Sequence, residues 1–530
     1  SESLNMKKWL LGALLLCSSG ILPTPVSAFE LPRRPEYVIV ASYRVSNDPE
    51  WMDVIEALKK KHKGAEVCYY KESPREVMGN LRWYYPRYVA VVEKPEQIGR
   101  DFVVDLNRMS REVDDDIYAD FLCGIITGYD AQAALRLVND TKEPKVLRSA
   151  VTTVSVFGDG HWFDRFAYIS DARPGLVGER EKGETTLRET MVTDSADNRM
   201  YRDMIRKAQE EGKQLRLPKD FSVKKLNLLQ RFYDYYTKYD PDVVITAAHA
   251  TEKNLEMPYS SGNIMCREGK LYADFPEGPK DLVETGKTRV YLPVGNCLMG
   301  NIDKTRNSMA IAFMNSARVG MLAGGYVVET WYGRNGWGGL CYFMNNPGRY
   351  TIPEAFFLNQ QDMMFQLRQM APALVNKPFP FAEGPDHMTP EYNEAARLNG
   401  GKISTDAFGF FYDRDVVALY GDPAWDVRLA EQPNANDYEV EYKVKSEKCI
   451  VTVKTGPNYS EERMRGADFR SQHVGELPFS FFFPKRLRNP RLAEGQSWKA
   501  AVDENFLLVY EPGFEPNKEY TIVLTIDPAR

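Results

Sequence analysis

Strand patterns and helical patterns alternate along most of this chain, and this alternation constrains its fold more than any other feature. Tyr37–Ser42 is a continuous apolar run of strand length, and Glu50–His62 repeats its apolar residues at helical spacing. Ala119–Gly128 is again a strand pattern, and Asp130–Asp140 is again a helical one. Strands that alternate with helices favour a parallel sheet flanked by helices. The predicted fold class is therefore α/β.

A second α/β series begins near residue 147. Two of its strand patterns end in residues that carry chemistry, because Asp242–His249 ends in histidine and Arg289–Cys297 ends in cysteine. Gly320–Trp331 is a further strand pattern, and Glu354–Leu374 is a long helical one. Residues 172–200 are highly charged and irregular, so we predict a long loop there.

From about residue 435 the pattern changes to alternating strands with no helix among them. This change predicts a separate small β-sandwich of immunoglobulin size. A chain of 530 residues is too long for one ordinary core, so several domains are expected. We predict an N-terminal α/β subdomain over residues 29–146, a second α/β subdomain over 147–432, and an immunoglobulin-like β-sandwich over 433–530.

The N-terminus has the order of a secretory signal. Two lysines are followed by the apolar run Trp9–Leu16 and by small and turn residues that end at Pro25–Ala28. We expect residues 1–28 to be a signal peptide, cleaved after Ala28. A lipoprotein anchor at Cys17 is disfavoured because Leu16 precedes it, and the run is short of the roughly 20 residues of a membrane span. The mature chain is expected to be periplasmic, at the cell surface or extracellular.

Charge and cysteine content exclude several classes of function. The net charge is only −6 and there is no basic tract, which argues against a nucleic-acid partner. Seven cysteines are sparse for this length, and no CxxC pair or Cys/His spacing indicates a zinc site. One or two disulfides remain open. No organic cofactor is implied.

The acidic run Asp114–Asp116 is a candidate for a structural calcium ion, since hard cations prefer clustered carboxylates. A solvated acidic loop is the more common interpretation of such a run. No metal is expected at the candidate catalytic residues themselves.

His249 and Cys297 end two strands that we expect in one sheet. The carboxyl ends of parallel strands present side chains to the crevice where ligands bind in α/β proteins. A thiolate attacks a carbonyl carbon, and a neighbouring imidazole activates the thiol or protonates the leaving amine. The two residues are 48 positions apart, which fits a caspase-type pair. A core histidine and a packed thiol are the alternative interpretation.

The order of these elements resembles the caspase–haemoglobinase fold of clan CD cysteine peptidases, and within that clan the gingipain-type family. Three further segments are similar to that family: "YADFLCGIITGYDAQAALRLV", "GMLAGGYVVETWYGRNGWGG" and "VALYGDPAWDVRL". The likeness covers roughly residues 35–430, and the C-terminal β region also suits the family. The resemblance implies a caspase-like sheet in two subdomains, of which the second is the peptidase core.

The resemblance also implies roles for individual residues. Cys297 would be the nucleophile and His249 the general acid/base. The backbone N–H of Cys297 and the N–H just after the histidine would bind the oxyanion. The loop around Glu329–Gly339 would form the pocket for the residue before the scissile bond, with Trp331 and Trp337 as candidate walls or, alternatively, as packing aromatics.

Asp159 ends a neighbouring strand pattern and is the candidate to orient His249, although an aspartate that caps a turn is an equally good interpretation. His161 is a rival catalytic histidine. It ranks below His249, because His249 ends the strand before the cysteine strand.

Two positions beside the dyad depart from the family pattern. The family usually has His-Gly, whereas Ala250 follows His249 here, and a Cβ restricts positive φ. Asn296 precedes Cys297 where caspases commonly have a small alanine. Both residues are expected to border bound substrate.

We therefore expect an exported cysteine endopeptidase with a protein or peptide substrate. The alternative is a catalytically inactive caspase-fold homologue that acts as an extracellular binding or scaffold protein. Neither the residue preferred before the scissile bond nor the oligomeric state follows from the sequence.

Overall fold

The computed structural model describes residues 34–192, 197–216, 219, 227–383, 388–432 and 435–528. The predicted signal peptide, with Cys17, lies outside these described residues. Among the helices in the described ranges, none is long and apolar enough to cross a membrane.

The strands are numbered in chain order. They are β1 (Tyr37–Ser42), β2 (Glu66–Tyr70), β3 (Tyr88–Val92), β4 (Leu122–Ile126), β5 (Lys145–Leu147), β6 (Ser149–Thr152), β7 (Arg165–Ile169), β8 (Leu176–Arg180), β9 (Arg188–Met191), β10 (Val243–Ile245), β11 (Ala250–Thr251), β12 (Asn254–Glu256), β13 (Asn263–Arg267), β14 (Lys270–Phe275), β15 (Gly278–Asp281), β16 (Arg289–Leu292), β17 (Val319–Tyr326), β18 (Val417–Tyr420), β19 (Val427–Leu429), β20 (Tyr438–Lys445), β21 (Lys448–Thr455), β22 (Phe479–Phe482), β23 (Arg491–Leu492), β24 (Lys499–Asp503), β25 (Phe506–Tyr510) and β26 (Glu519–Thr525).

The helices are numbered in the same way. They are α1 (Tyr43–Ser46), α2 (Pro49–Lys61), α3 (Met78–Tyr84), α4 (Arg100–Met109), α5 (Ala131–Asp140), α6 (Asp197–Glu210), α7 (Leu228–Tyr239), α8 (Met309–Asn315), α9 (Arg334–Asn345), α10 (Ile352–Met370), α11 (Met388–Leu398), α12 (Thr405–Asp413) and α13 (Glu461–Met464).

A twelve-stranded sheet flanked by helices is the centre of the molecule, and the predicted α/β class is confirmed. Its order is β2-β1-β3-β4-β18-β17-β16-β10-β6-β7-β8-β9. Its strands are mostly parallel, with antiparallel pairs at β17–β18, β7–β8 and β8–β9. Strand β17 is buried along its whole length, as expected for a strand covered on both faces.

Both predicted α/β subdomains contribute strands to this one sheet. Strand β4 from the first pairs with β18 from the second through Ile125 and Tyr420. The subdomain boundaries themselves remain predictions.

The long loop predicted over residues 172–200 is wrong in part. Strands β8 and β9 form an antiparallel edge of the sheet there, and α6 begins at Asp197. The residues of β9 are mostly exposed and polar, so the strand has no apolar signal from which to predict it.

The five-stranded antiparallel sheet β11–β15 was not predicted. It occupies the chain between β10 and β16, immediately after His249. Its strands are only two to six residues long, and β15 is mostly exposed, so they give little apolar signal.

The glycine-rich segment after Trp331 is mostly not the loop that was predicted. The loop ends at Gly333, and helix α9 begins at Arg334. A Cβ on Gly338 would lie 2.1 Å from the side-chain oxygen of Asn359 in α10. The glycines therefore permit two helices to pack closely, which a sequence pattern for loops does not distinguish.

The C-terminal region consists of two sheets, ordered β20-β21-β26-β23 and β22-β25-β24. Cys449 and Val451 of the first sheet share an apolar cluster with Leu507 and Val509 of the second. The alternate residues of β25, Phe506 and Leu508, pack instead into the main core. Strands predominate in this region as predicted, but the short helix α13 lies among them, and the immunoglobulin likeness stays a prediction.

Candidate active site

The candidate site lies where two central strands end. Strands β10 and β16 are adjacent and parallel, with Ile245 opposite Leu292 at their carboxyl ends. Both strands are shorter than the sequence predicted. His249 and Cys297 therefore lie in turns, four and five residues beyond the strand ends, and not on the strands.

These two turns are in direct contact. A Cβ on Gly295 would lie 2.8 Å from the Cβ of Ala247, so the close approach requires glycine. The side-chain amide of Asn296 donates to the carbonyl oxygen of Ala248, and its Oδ1 accepts from Thr246 Oγ1 at 2.5 Å. Asn296 is fully buried, so its side chain links the histidine turn to the cysteine turn and does not face the cleft.

The thiol of Cys297 is half-buried and has one close polar neighbour. The backbone N–H of Thr330 donates to Sγ at 3.3 Å, and Thr330 Oγ1 donates to the carbonyl of Asn296 at 2.9 Å. Burial raises the pKa of the Cys297 thiol above its usual value, and the carboxylate of Glu329 adds to this. The Thr330 N–H opposes the rise without overcoming it.

The backbone after the nucleophile is held in a strained conformation. Leu298 has φ of 57°, a left-handed value that branched residues rarely adopt. Its N–H donates to the carbonyl of Val328 at 3.0 Å, which ties the turn to the chain beyond β17. The N–H of Cys297 has no hydrogen-bond partner in another described residue, so it is available to a ligand.

His249 is exposed, and no described side chain bonds to its imidazole. Its carbonyl accepts from the N–H of Glu256 at 2.9 Å, so these two residues form a hydrogen-bonded pair of the β11–β12 hairpin. Bonded and non-bonded pairs alternate along an antiparallel ladder. The next pair, Ala250 and Leu255, is therefore non-bonded, and the Ala250 N–H points to the outer edge of β11.

Ala250 has a negative φ. The departure from the family's His-Gly therefore introduces no backbone strain at this position. Its outward N–H is compatible with the predicted role in binding an oxyanion.

Asp159 and His161 follow β6 in the sequence, and they pair with each other. Asp159 Oδ1 accepts from the backbone N–H of His161 at 3.1 Å and lies 3.3 Å from its Nδ1. No bond joins Asp159 to His249. The local turn that was the alternative interpretation of Asp159 accounts for its contacts.

The two tryptophans differ in environment. Trp331 is 43% exposed and lies against Phe408, with 5.3 Å between ring centroids. Trp337 is only 4% exposed, and its Nε1 would be 2.9 Å from a Cβ on Gly295. Trp337 thus supports the cysteine turn from below, whereas Trp331 is the one that solvent and a ligand can reach.

A cleft of about 370 Å³ adjoins the cysteine turn, lined in part by Leu298, Val328 and Glu329. The hydroxyl of Tyr412 donates to the Glu329 carbonyl at 2.7 Å and fixes one wall. Arg100, at the start of α4, also lines the cleft and pairs with Asp101 and Glu383.

Sequence reasoning missed Thr330, Tyr412 and Arg100. Thr330 precedes Trp331 in a segment quoted for the family resemblance, so the motif could have indicated it. Tyr412 and Arg100 come from distant helices that no local pattern connects to the cleft. Six cysteines are described, and all are free thiols, so no disulfide joins them.

No protein-family model and no curated protein matches this sequence. Among solved structures, the chain is similar to gingipain R, an Arg-specific cysteine proteinase, with 10% identity, a TM-score of 0.35, and 94% of this chain and 93% of that chain covered. A complex of the pro- and mature domains of Porphyromonas gingivalis RgpB gives 8% identity, a TM-score of 0.34, and 93% and 94% coverage.

A third structure, described as a protease, gives 10% identity and a TM-score of 0.33, with 79% of this chain and 84% of that chain covered. At such scores and identities these likenesses assign neither an activity nor a site to this chain. A function for this chain has to be argued from the residues at the edge of its own sheet.

Proposed function

We propose that this protein is a cysteine peptidase in which Cys297 is the nucleophile and His249 the general acid/base. The observation that carries the proposal is the contact between the two turns beyond β10 and β16. Gly295 packs against Ala247, and Asn296 bonds across to Ala248. This contact between the turns supports the proposal that the thiol and the imidazole act together at this edge of the sheet, as nucleophilic catalysis needs.

In the proposed reaction His249 takes the thiol proton as Sγ bonds to the scissile carbonyl carbon. The carbonyl oxygen becomes an oxyanion, which the N–H groups of Cys297 and Ala250 would stabilise. The electron pair of the oxyanion then re-forms the C=O bond, and the C–N bond breaks with its electron pair leaving on nitrogen. The imidazolium protonates this leaving amine, and the acyl group stays on Sγ as a thioester. A water molecule, deprotonated by His249, then attacks the thioester, releases the carboxylic acid and restores the thiol.

The resting thiol is expected to be neutral, because its pKa is raised above the ordinary value. Proton transfer to His249 then accompanies attack and does not precede it. The rate of iodoacetamide alkylation of Cys297 should rise steadily from pH 6 to above pH 9. A rate that is high and flat near neutral pH would instead indicate a preformed thiolate–imidazolium pair and would contradict this part of the proposal.

The substrate class is proposed to be peptides or proteins. The cleft beside Leu298 is large enough for one substrate side chain, and the exposed Trp331 borders the approach to Cys297. Export through the N-terminal signal belongs to the same proposal, and the first residue of the secreted chain, expected to be Phe29, tests it by N-terminal sequencing.

A non-catalytic binding or scaffold protein is the second candidate. The observation that favours it is the exposed imidazole of His249, which no described side chain orients. Asp159, the residue predicted to do so, pairs with His161.

A positional-scanning peptide library, incubated with the reduced mature chain, separates the two candidates. Cleavage should disappear in Cys297→Ala and fall at least about a hundredfold in His249→Ala. Cys266→Ala is the matched control, because Cys266 is also a partly buried free thiol, and it should retain full activity. Unchanged cleavage in Cys297→Ala, or no cleavage by any of the chains, would overturn the peptidase proposal.

A further inference from the structure

A segment of the C-terminal β region reaches the candidate active site. Residues 469–477, here called the bridging segment, lie between α13 and β22. Its buried apolar side chains, Phe469, Val474 and Leu477, belong to the main core and not to the apolar cluster of the C-terminal sheets. The ring of Phe469 lies against that of Phe157, with 5.6 Å between the centroids. The bridging segment therefore packs as part of the α/β section.

His473, in the bridging segment, lies flat on Tyr332 in the loop between β17 and α9. The two ring centroids are 4.1 Å apart, and the ring planes are inclined by only 11°. Such parallel contacts between rings add to the free energy that burial supplies. His473 is exposed to solvent, whereas Tyr332 is only 3% exposed. The imidazole therefore forms the outer cover of the Tyr332 ring.

Helix α12 also supports Tyr332. The tyrosine hydroxyl donates to Asp406 Oδ1 at 2.7 Å, and the ring of Phe410 lies 5.8 Å from the tyrosine ring between centroids. A Cβ on Gly409 would lie 2.3 Å from the tyrosine ring, so the ring packs directly on the helix backbone. Tyr332 thus has α12 and the imidazole of His473 as its supports.

The backbone of the bridging segment is strained at this contact. Gln472 has φ of 36° and His473 has φ of 57°, left-handed values that are uncommon in residues with a Cβ. A Cβ on Gly333 would lie 3.3 Å from the Cβ of Gln472, so the two backbones approach closely here. Strained residues persist only where the surrounding contacts hold them, and they cluster at functional sites. The strain in this segment coincides with its contact to the Tyr332 loop.

The same loop contacts the thiol of Cys297. Thr330, two residues before Tyr332, donates its backbone N–H to Cys297 Sγ at 3.3 Å and its hydroxyl to the carbonyl of Asn296 at 2.9 Å. Burial raises the pKa of the Cys297 thiol, and the Thr330 N–H opposes that rise because it favours the thiolate. A displacement of Tyr332 would move Thr330, since one residue separates them in the chain.

We propose that His473 is a positioning residue for the cysteine site, and that the C-terminal β region thereby completes the active site. Through its stack on Tyr332, the imidazole holds residues 330–333 so that the Thr330 N–H stays on Cys297 Sγ. His473 acts through this loop and not by proton transfer. The inference rests on the proposed function for the role of Cys297 as nucleophile, but the thiol itself reports on the contact without a substrate.

The test measures the rate at which iodoacetamide alkylates Cys297 in the full mature chain as a function of pH. Mass spectrometry of the Cys297 peptide separates this thiol from the other free cysteines. His473→Asn removes the ring, and asparagine tolerates the left-handed backbone. We expect the midpoint of the pH profile to rise by at least about half a pH unit, because the thiolate loses a hydrogen bond. His473→Phe keeps a ring on Tyr332 and should restore the parent profile.

His161→Asn is the matched control. His161 is another exposed imidazole stacked on an aromatic ring, that of Trp162 at 3.9 Å, and its replacement should leave the profile unchanged. Thermal unfolding of each variant verifies that the fold is kept. An unchanged profile in His473→Asn, or a shift that His473→Phe does not reverse, would overturn the proposal. An equal shift in His161→Asn, or a shift that accompanies loss of the folded state, would overturn it too.

Peptide cleavage gives a second readout. The value of kcat/KM should fall about tenfold in His473→Asn and recover in His473→Phe, because the loop beside the nucleophile is displaced and then restored. An alkylation profile that shifts as expected in a chain that cleaves no peptide would support the positioning role of His473 and overturn only the peptidase proposal. The two proposals therefore fail on different measurements.

Discussion

Asp422 and Asp120 are both buried carboxylates that join distant parts of the chain, but their surroundings are opposite in charge. Asp422 Oδ2 lies 2.8 Å from Lys61 Nζ and 2.6 Å from His62 Nε2, and its Oδ1 accepts from Tyr37 Oη at 2.9 Å. Burial alone would raise the pKa of Asp422. The hydrogen bond from His62 and the charge of Lys61 outweigh burial and hold that pKa well below its usual range.

Asp120 is buried to the same degree as Asp422, but its neighbours are other carboxylates. Burial, together with the charges of its neighbours Glu504, Asp114 and Asp116, raises its pKa to about 10. The difference teaches that burial alone does not decide the state of a carboxyl group in this protein. The sign of the charge that the fold brings to it does.

The largest expected effect comes from removing the carboxylate of Asp422, which Lys61 and His62 contact. Asp422→Asn leaves Lys61 and His62 without their carboxylate while keeping the volume of the side chain. A buried pair that loses one partner costs about 3–5 kcal/mol, so we expect that loss in the free energy of unfolding measured in urea at pH 7. A loss below about 1 kcal/mol would mean that solvent already satisfies the two side chains that bind Asp422.

The two regions should also respond oppositely to pH. In the unfolded chain Asp116 loses its proton near pH 4, whereas in the folded chain it keeps the proton to about pH 7. The folded state binds more protons in that window, so its stability falls as pH rises. Asp422 behaves in the reverse sense, and its stabilisation is lost only as pH falls below about 4.

Urea unfolding at several pH values between 3 and 8 checks this contrast. We expect the raised pKa values of Asp116 and Asp120 to lower the free energy of unfolding as pH rises from 5 to 8. A decline of equal slope in Asp120→Asn and in the parent would show that other groups cause it.

Asp120→Asn should have a smaller effect of opposite sign to Asp422→Asn. The amide mimics the protonated acid, so folding no longer has to retain a proton against the charge of its neighbours. We expect stabilisation on the order of 1 kcal/mol at pH 7. Destabilisation, measured by thermal and urea unfolding, would contradict the raised pKa of Asp120.

The smallest effects are expected at exposed aspartates close to each region. Asp426→Asn and Asp115→Asn should each change the free energy of unfolding by less than about 0.5 kcal/mol. Asp426 pairs with Arg428 at the surface, and Asp115 is exposed. A larger change at either position would blur the contrast between buried and exposed carboxylates.

The sequence predicted the main elements well where apolar periodicity was strong. Strand β1 was predicted with the observed bounds, and the helix Pro49–Lys61 within one residue at each end. It also predicted that the strands leading to His249 and Cys297 lie in one sheet, which the β10–β16 pairing confirms. Strand β9 was not predicted because an exposed edge requires no apolar period.

Parts of the candidate site could not be predicted from the sequence either. The N–H of Thr330 contacts the Cys297 thiol only because β17 lies beside β16. The role of Asn296 as a link between turns, and the pairing of Asp159 with His161, depend on where side chains point once the chain has folded. Residue type and spacing do not specify those directions.

By itself the sequence determined the fold class, the order of most elements and the sheet edge beyond which His249 and Cys297 follow their strands, because these follow from local periodicity and from the rule that parallel strands end on one side. Only the tertiary structure decided which charges face one another. Asp422 meets Lys61, and Asp120 meets Glu504, across hundreds of positions. The interaction of two charges depends on the distance between them, and that distance is fixed only when the central sheet and the C-terminal β region have packed together.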